Sequence, residues 1–107
     1  MPLIPLRLLT RFAFAFVVLS GPASAASVTV TISNFAFVPP KITIAPGDTV
    51  VFVNADDTIH SLVADQGMFR SAGLDTDGSF SVKFPQAGTF AYHCGLHPFM
   101  MGAVIVK

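Results

Sequence analysis

The chain has 107 residues, 52% of them hydrophobic and 11% charged, with six acidic and six basic side chains. That length fits one domain, and the balanced charge, with no basic cluster, excludes an electrostatic nucleic-acid binder. A single cysteine excludes an internal disulfide framework.

Arg7 and Arg11 precede an apolar run from Phe12 to Leu19, followed by Gly21, Pro22 and Ala23-Ser24-Ala25. A basic start, a short apolar stretch and a small-x-small site describe a secretory signal peptide over residues 1–25, leaving a domain at 26–107. The uncharged stretch is shorter than the about 20 residues that a membrane span needs, so no stable membrane insertion is expected of the mature chain. Export is expected, with the bacterial periplasm as destination. Without Arg7 and Arg11, four basic residues (Lys41, Arg70, Lys83 and Lys107) face six Asp, a net charge of −2. A domain this small has little stability to spare. Its lone thiol, in an oxidising compartment, needs something to occupy it.

The rest of the chain reads as strand and turn. Ser27 to Ile32 alternates polar and apolar with period two, and Ile42-Thr43-Ile44 resumes the alternation after Pro39-Pro40. Ala45-Pro46-Gly47-Asp48 is a turn signal, with Gly free to take positive φ. Val50-Val51-Phe52-Val53 is a continuous apolar run and predicts a strand buried on both faces. Thr58 to Val63 predicts a further short strand, and residues 64–78 a loop. Phe80, Val82 and Phe84 alternate on the next strand. Pro85-Gln86-Ala87-Gly88 turns the chain into a strand from Thr89 to Cys94, and Ala103 to Lys107 forms the last. No window has a helical apolar period. About seven or eight short strands predict an all-β sandwich.

The chemistry gathers in Cys94-Gly95-Leu96-His97-Pro98-Phe99-Met100, with a second imidazole upstream at His60. Period two places Phe90, Tyr92 and Cys94 on one strand face and Ala91 and His93 on the other. Cys94 then leaves the strand end on the core side, and three-residue steps let His97 and Met100 converge with it from one loop. His93 faces away from that ion and is expected to hydrogen-bond across the far side of the sheet. A Cys, two His and a weak axial Met form the ligand set of an electron-transfer copper site. Zinc would also accept Cys and two His, with Asp56 or Asp57 as substitutes for the poor thioether ligand. A Cys–His nucleophile is a further reading, although it leaves His60 and Met100 without a role. On the residues alone these alternatives stay open.

Several segments together resemble a known family. These are Asn34-Phe35-x-Phe37-x-Pro39, Pro46-Gly47-Asp48-Thr49-Val50, Val53-Asn54-x-Asp56, His60, Gly78-x-Phe80, Phe84-x-x-x-Gly88-Thr89-Phe90-x-Tyr92 and Cys94-x-x-His97-Pro98-x-Met100-x-Gly102. From about Val28 to Val106 the chain is similar to the cupredoxins of the plastocyanin and amicyanin type, and its short metal loop most resembles amicyanin. The resemblance implies a Greek-key sandwich and one type 1 (blue) copper ion, held by His60, Cys94 and His97 with Met100 as axial ligand. It further implies a Ser61 N–H bond to the Cys94 sulfur, and an Asn54 side chain that ties the His60 segment to its neighbours. Ser61 stands where Asn or Thr is common in the family.

The same resemblance implies an electron shuttle rather than an enzyme, working as a monomer with transient protein donors and acceptors. Electrons would pass at His97, ringed by Leu96, Pro98 and Phe99, with Met101 and Phe35 nearby. Apolar patches of this kind mark partner sites. A multicopper enzyme would need more imidazoles than the three present. A copper chaperone or storage protein is the alternative function.

Overall fold

Eight strands organise the computed structural model, which describes residues 25–107. The segment read as a signal peptide lies outside the described residues except for Ala25. Strand β1 (Ser27–Ile32) buries Val30 and Ile32 and turns its threonines outward, as its alternation requires. Strand β2 (Phe37–Val38) pairs antiparallel with the end of β1. The chain then crosses to the opposite layer as β3 (Lys41–Ile44) and returns as β4 (Thr49–Asn54), which runs parallel to β1 over its full length. Strand β5 (Val63–Ala64) lies in the second layer and β6 (Ser79–Lys83) in the first. Strands β7 (Gly88–His93) and β8 (Met101–Val106) complete the second layer. The sheet orders are β2-β1-β4-β6 and β3-β8-β7-β5, two mixed four-stranded sheets. These repeated crossings make the expected Greek-key sandwich. The described residues contain no helix long and apolar enough to cross a membrane.

Between the sheets lies an aromatic core. Tyr92 stacks on Phe37 with ring centroids 4.8 Å apart and meets Phe52 at 5.1 Å. Phe84, Leu62, Val104 and Val106 fill the remaining space. Large rings supply much buried area per residue, which lets a small domain close without Trp or a disulfide.

Two expectations are corrected, and one strand is new. Strand β4 is buried on one face only: Val50, Phe52 and Asn54 point inward, while Val51 and Val53 are half-buried. A two-layer sandwich has no third layer to cover its outer faces. The pair Phe37–Val38 forms a strand that the Pro39-Pro40 punctuation obscured. Residues 58–63 do not form a continuous strand. His60 and Val63 make single bridges to Leu74 and Arg70. The intervening N–H groups go to side chains instead, Ser61 to Cys94 Sγ and Leu62 to Ser71 Oγ.

The turn at Gly47 (φ 96°) is fastened by Asp48, whose carboxylate accepts the N–H groups of Ala26 and Ala45. The Ala26 bond, then the Ala45 bond, holds the Asp48 carboxyl below its ordinary value. A depressed folded pKa adds stability above the unfolded value of about 3.9, and that stability is lost as pH falls through the folded pKa. Asp48→Asn is therefore expected to lower Tm at pH 7 and to flatten the fall in Tm below pH ~4. Thermal melts across that range check this, and parallel Tm curves for the two proteins would contradict it.

Candidate metal centre

Cys94 follows the last residue of β7 and is fully buried, as the in–out alternation from Tyr92 demands. The loop after it closes on its own backbone. Met100 N–H donates to the His97 carbonyl at 2.9 Å, and Cys94 N–H donates to the Met100 carbonyl at 3.1 Å. Met100 is buried at the loop's end, while Leu96, Pro98 and Phe99 are exposed on its outer side. His97 is half-buried between these two sides.

Gly95 is needed because of a close approach rather than a left-handed φ. A Cβ there would stand 2.7 Å from Ser61 Oγ and 3.1 Å from Val63 Cγ2. Its N–H donates to that same Ser61 hydroxyl at 3.0 Å. Ser61 thus clamps the loop twice, through its hydroxyl to Gly95 and through its own N–H to Cys94 Sγ at 3.4 Å.

His60 comes from the other side, fully buried in the turn that follows β4. Its backbone pairs with Leu74 in both directions. Asn54 holds that turn together. Its amide donates to the Thr58 and Leu74 carbonyls, and its oxygen accepts the Asp56 N–H. His60, Cys94 and His97 therefore come from segments up to 37 residues apart and meet at one point.

The spacing of the donors fits a metal ion. The two Nδ1 atoms are 3.2 Å apart and lie 3.7 and 3.8 Å from Cys94 Sγ. A point equidistant from three such atoms is about 2.1 Å from each, close to ordinary metal–imidazole lengths and slightly inside a metal–thiolate bond. Two imidazole nitrogens and a buried sulfur that share one centre form a soft donor set. Asp56 does not belong to it. Its carboxylate contacts the far nitrogen of His60, Nε2, at 2.9 Å. The zinc variant with Asp56 as fourth ligand therefore has no support in this geometry.

Asp56 and Phe35 are the participants that sequence reasoning underweighted. The Asp56 carboxylate accepts the N–H of Asn34 at 2.7 Å and of Phe35 at 2.9 Å, besides its His60 contact. The Phe35 bond first, then the Asn34 and His60 contacts, hold its carboxyl below the ordinary value against the opposing effect of burial. Asn34 and Phe35 both take left-handed φ, 57° and 56°. The Phe35 ring sits edge-on to both imidazoles, 5.1 Å from His60 and 5.2 Å from His97. The signal that could have found Asp56 is its place four residues before His60 in a turn that also carries Asn54. His93 faces outward and contacts Asp65 Oδ1 through Nδ1 at 2.7 Å, on the far side of the sheet as expected.

Comparison with known proteins gives one consistent result. A family model described as a cupredoxin-like domain matches residues 7–106. The amicyanin of Paracoccus versutus is 33% identical over 95 residues, covering 84% of this chain and 72% of the relative. The chloroplastic plastocyanin of Chlamydomonas reinhardtii is 34% identical over 85 residues, covering 66% of this chain and 58% of its own. Among solved structures, a reduced Cu(I) form of an amicyanin variant superposes with a TM-score of 0.70 at 29% identity. That superposition covers 84% of this chain and 86% of the amicyanin.

Proposed function

The chain belongs to the cupredoxin-like family, and from that premise we propose that it is a small type 1 copper electron-transfer protein of the bacterial periplasm. The observation that carries the reading is the meeting of two imidazole Nδ1 atoms and a buried thiolate sulfur around one centre. His60, Cys94 and His97 would hold the ion, with Met100, buried at the loop end, as the weaker fourth ligand. Copper supplies a one-electron couple between Cu(II) and Cu(I) when bound.

The chain's own residues explain why such a couple would be fast. Ser61 clamps Cys94 and Gly95, Asn54 clamps the His60 turn, and the Met100 backbone closes the loop. A donor set fixed from three sides changes little between oxidation states. Residues 1–25 serve as the signal peptide, and the mature domain works as a monomer with no reaction of its own.

Electrons leave through His97. Around it Leu96 is 54% and Phe99 67% exposed, with the Phe35 ring against its edge. An exposed apolar rim around a half-buried ligand suits brief docking of protein donors and acceptors. Leu96→Asp is expected to slow electron transfer to a partner about tenfold while leaving the visible spectrum unchanged, by analogy with other charges buried in an apolar contact. Stopped-flow mixing with a partner checks this, and a changed spectrum would assign Leu96 to support of the site.

The deciding test is a Cu(II) titration followed by visible absorption and EPR. An intense thiolate-to-copper band saturating at one equivalent, and lost in Cys94→Ser, is the expected result. Tight zinc binding with no such band would overturn the proposal. A copper chaperone or storage protein would bind Cu(I) but lack reversible voltammetry.

A further inference from the structure

We infer that Asp56 is a positioning residue for the metal: its carboxylate fixes His60 as the Nε2–H tautomer, aims Nδ1 at Cys94 and His97, and weights the centre towards Cu(II). The redox part of this inference rests on the copper reading above.

Asp56 Oδ2 lies 2.9 Å from His60 Nε2, and an ionised carboxylate only accepts hydrogen bonds. Nε2 therefore carries the proton, and Nδ1 keeps its lone pair for the shared centre. His60 is fully buried, so no solvent competes for this nitrogen. His97 differs. It is half-buried, and among the described residues no carboxylate contacts its ring.

Asp56 is itself held in place. Asn54 Oδ1 takes its backbone N–H, and the N–H groups of Asn34 and Phe35 grip the carboxylate from a second loop. Consecutive N–H groups of two left-handed residues form an anion-binding concavity. A left-handed Phe is strained, and such strain persists where the surroundings over-determine it. Here the strained loop is fixed to the carboxylate that orients a ligand, and its Phe35 ring packs against both imidazoles. Three hydrogen bonds thus set the Asp56 position independently of any metal.

A carboxylate behind a ligating imidazole raises ligand basicity, and losing such a partner typically costs about 10- to 100-fold in metal affinity. The added negative charge favours the more highly charged oxidation state. Asp56→Asn keeps the shape but removes the negative charge and leaves one neutral acceptor oxygen for the N–H groups of Asn34, Phe35 and His60. We expect the ratio of Cu(II) to Cu(I) affinity to fall on the order of tenfold, which raises a one-electron potential by about 59 mV.

Two measurements on the full mature chain test this. Nitrogen-15 histidine NMR of the metal-free and Cu(I)-loaded protein should show His60 as the Nε2–H tautomer alone, and Asp56→Asn should lose that single state in the metal-free form. Reversible voltammetry of the copper-loaded proteins should show the raised potential. A wild-type His60 found as Nδ1–H or as a mixture overturns the positioning role even if the variant does not fold. An unchanged potential with the thiolate band intact overturns the redox role. A wild-type protein that shows no thiolate band at all sinks the copper reading instead, and the tautomer still decides what Asp56 does.

Discussion

Asn54→Ala is expected to destabilise the metal-free protein by about 3 kcal/mol, because several buried or half-buried polar groups lose their partner together. The side chain is fully buried and uses three hydrogen bonds, two donated to the Thr58 and Leu74 carbonyls and one accepted from Asp56 N–H. The loss is partly offset at Leu74, whose carbonyl also accepts His60 N–H at 3.2 Å. Against a total stability of about 5–15 kcal/mol for a natural domain, such a loss is a large fraction.

The same change reaches the site. Asn54 is the clamp between the end of β4 and the turn that carries both Asp56 and His60. With it gone, copper affinity should fall along with stability, and the thiolate band should broaden. Asn54→Asp separates hydrogen bonding from packing, because it keeps the shape but points an acceptor at two carbonyls. It should be no better tolerated than Ala at neutral pH. Urea unfolding of the three proteins measures this, and an Asn54→Ala loss under about 0.5 kcal/mol, the range of an ordinary surface change, would sink the clamp.

How much of this was legible in the sequence depends on how local each signal is. The β1 alternation and the loop from Cys94 to Met100 are short-range patterns. The chain's own covalent spacing there limits where the side chains can go, and the structure follows it. Asp56 is less legible, because its role needs a partner 21 and 22 residues away. Phe35 and Asn34 meet it only because β1 and β4 run parallel with Ile32 opposite Asn54. Nothing in Asn34-Phe35 announces two left-handed residues, since Phe ordinarily avoids that region.

The misread elements share a cause. Val50 to Val53 looked doubly buried because an apolar run does not reveal how many layers the fold has. Residues 58–63 looked like a strand because apolar spacing says nothing about where N–H groups go, and here side chains from Cys94 and Ser71 take them. Hydrogen bonding to side chains competes with the sheet ladder, and the site draws on that competition. The irregular backbone leaves the Ser61 N–H free to meet sulfur.

Gly102→Ala is expected to be at least as damaging as the loss of Asn54, for a steric reason. Gly102 lies directly opposite Tyr92 in the β7–β8 ladder, and the Tyr92 ring folds across the space where a side chain would stand. An added Cβ would overlap the ring and its hydroxyl, with ring carbons at 2.5 and 2.7 Å. The ring has nowhere to go. It is fully buried, stacked on Phe37 and packed against Phe52 and Phe69. Overpacking a well-filled core usually costs about 1–3 kcal/mol. The upper end applies here, because the obstacle is a rigid ring rather than the tip of a flexible chain.

Gly102 also follows two residues after Met100, so a displaced β8 would move the end of the metal loop. Gly102→Ala should therefore lower Tm and weaken the thiolate–copper band together. Tyr92→Leu alone loses ring packing and is destabilising, yet in the double variant the two costs should fall short of their sum, because the clash is gone. A double-mutant cycle from urea unfolding measures that coupling, expected at more than about 1 kcal/mol for residues in contact. Strict additivity would mean that Gly102 is required for the backbone of β8 and not for the ring that lies over it.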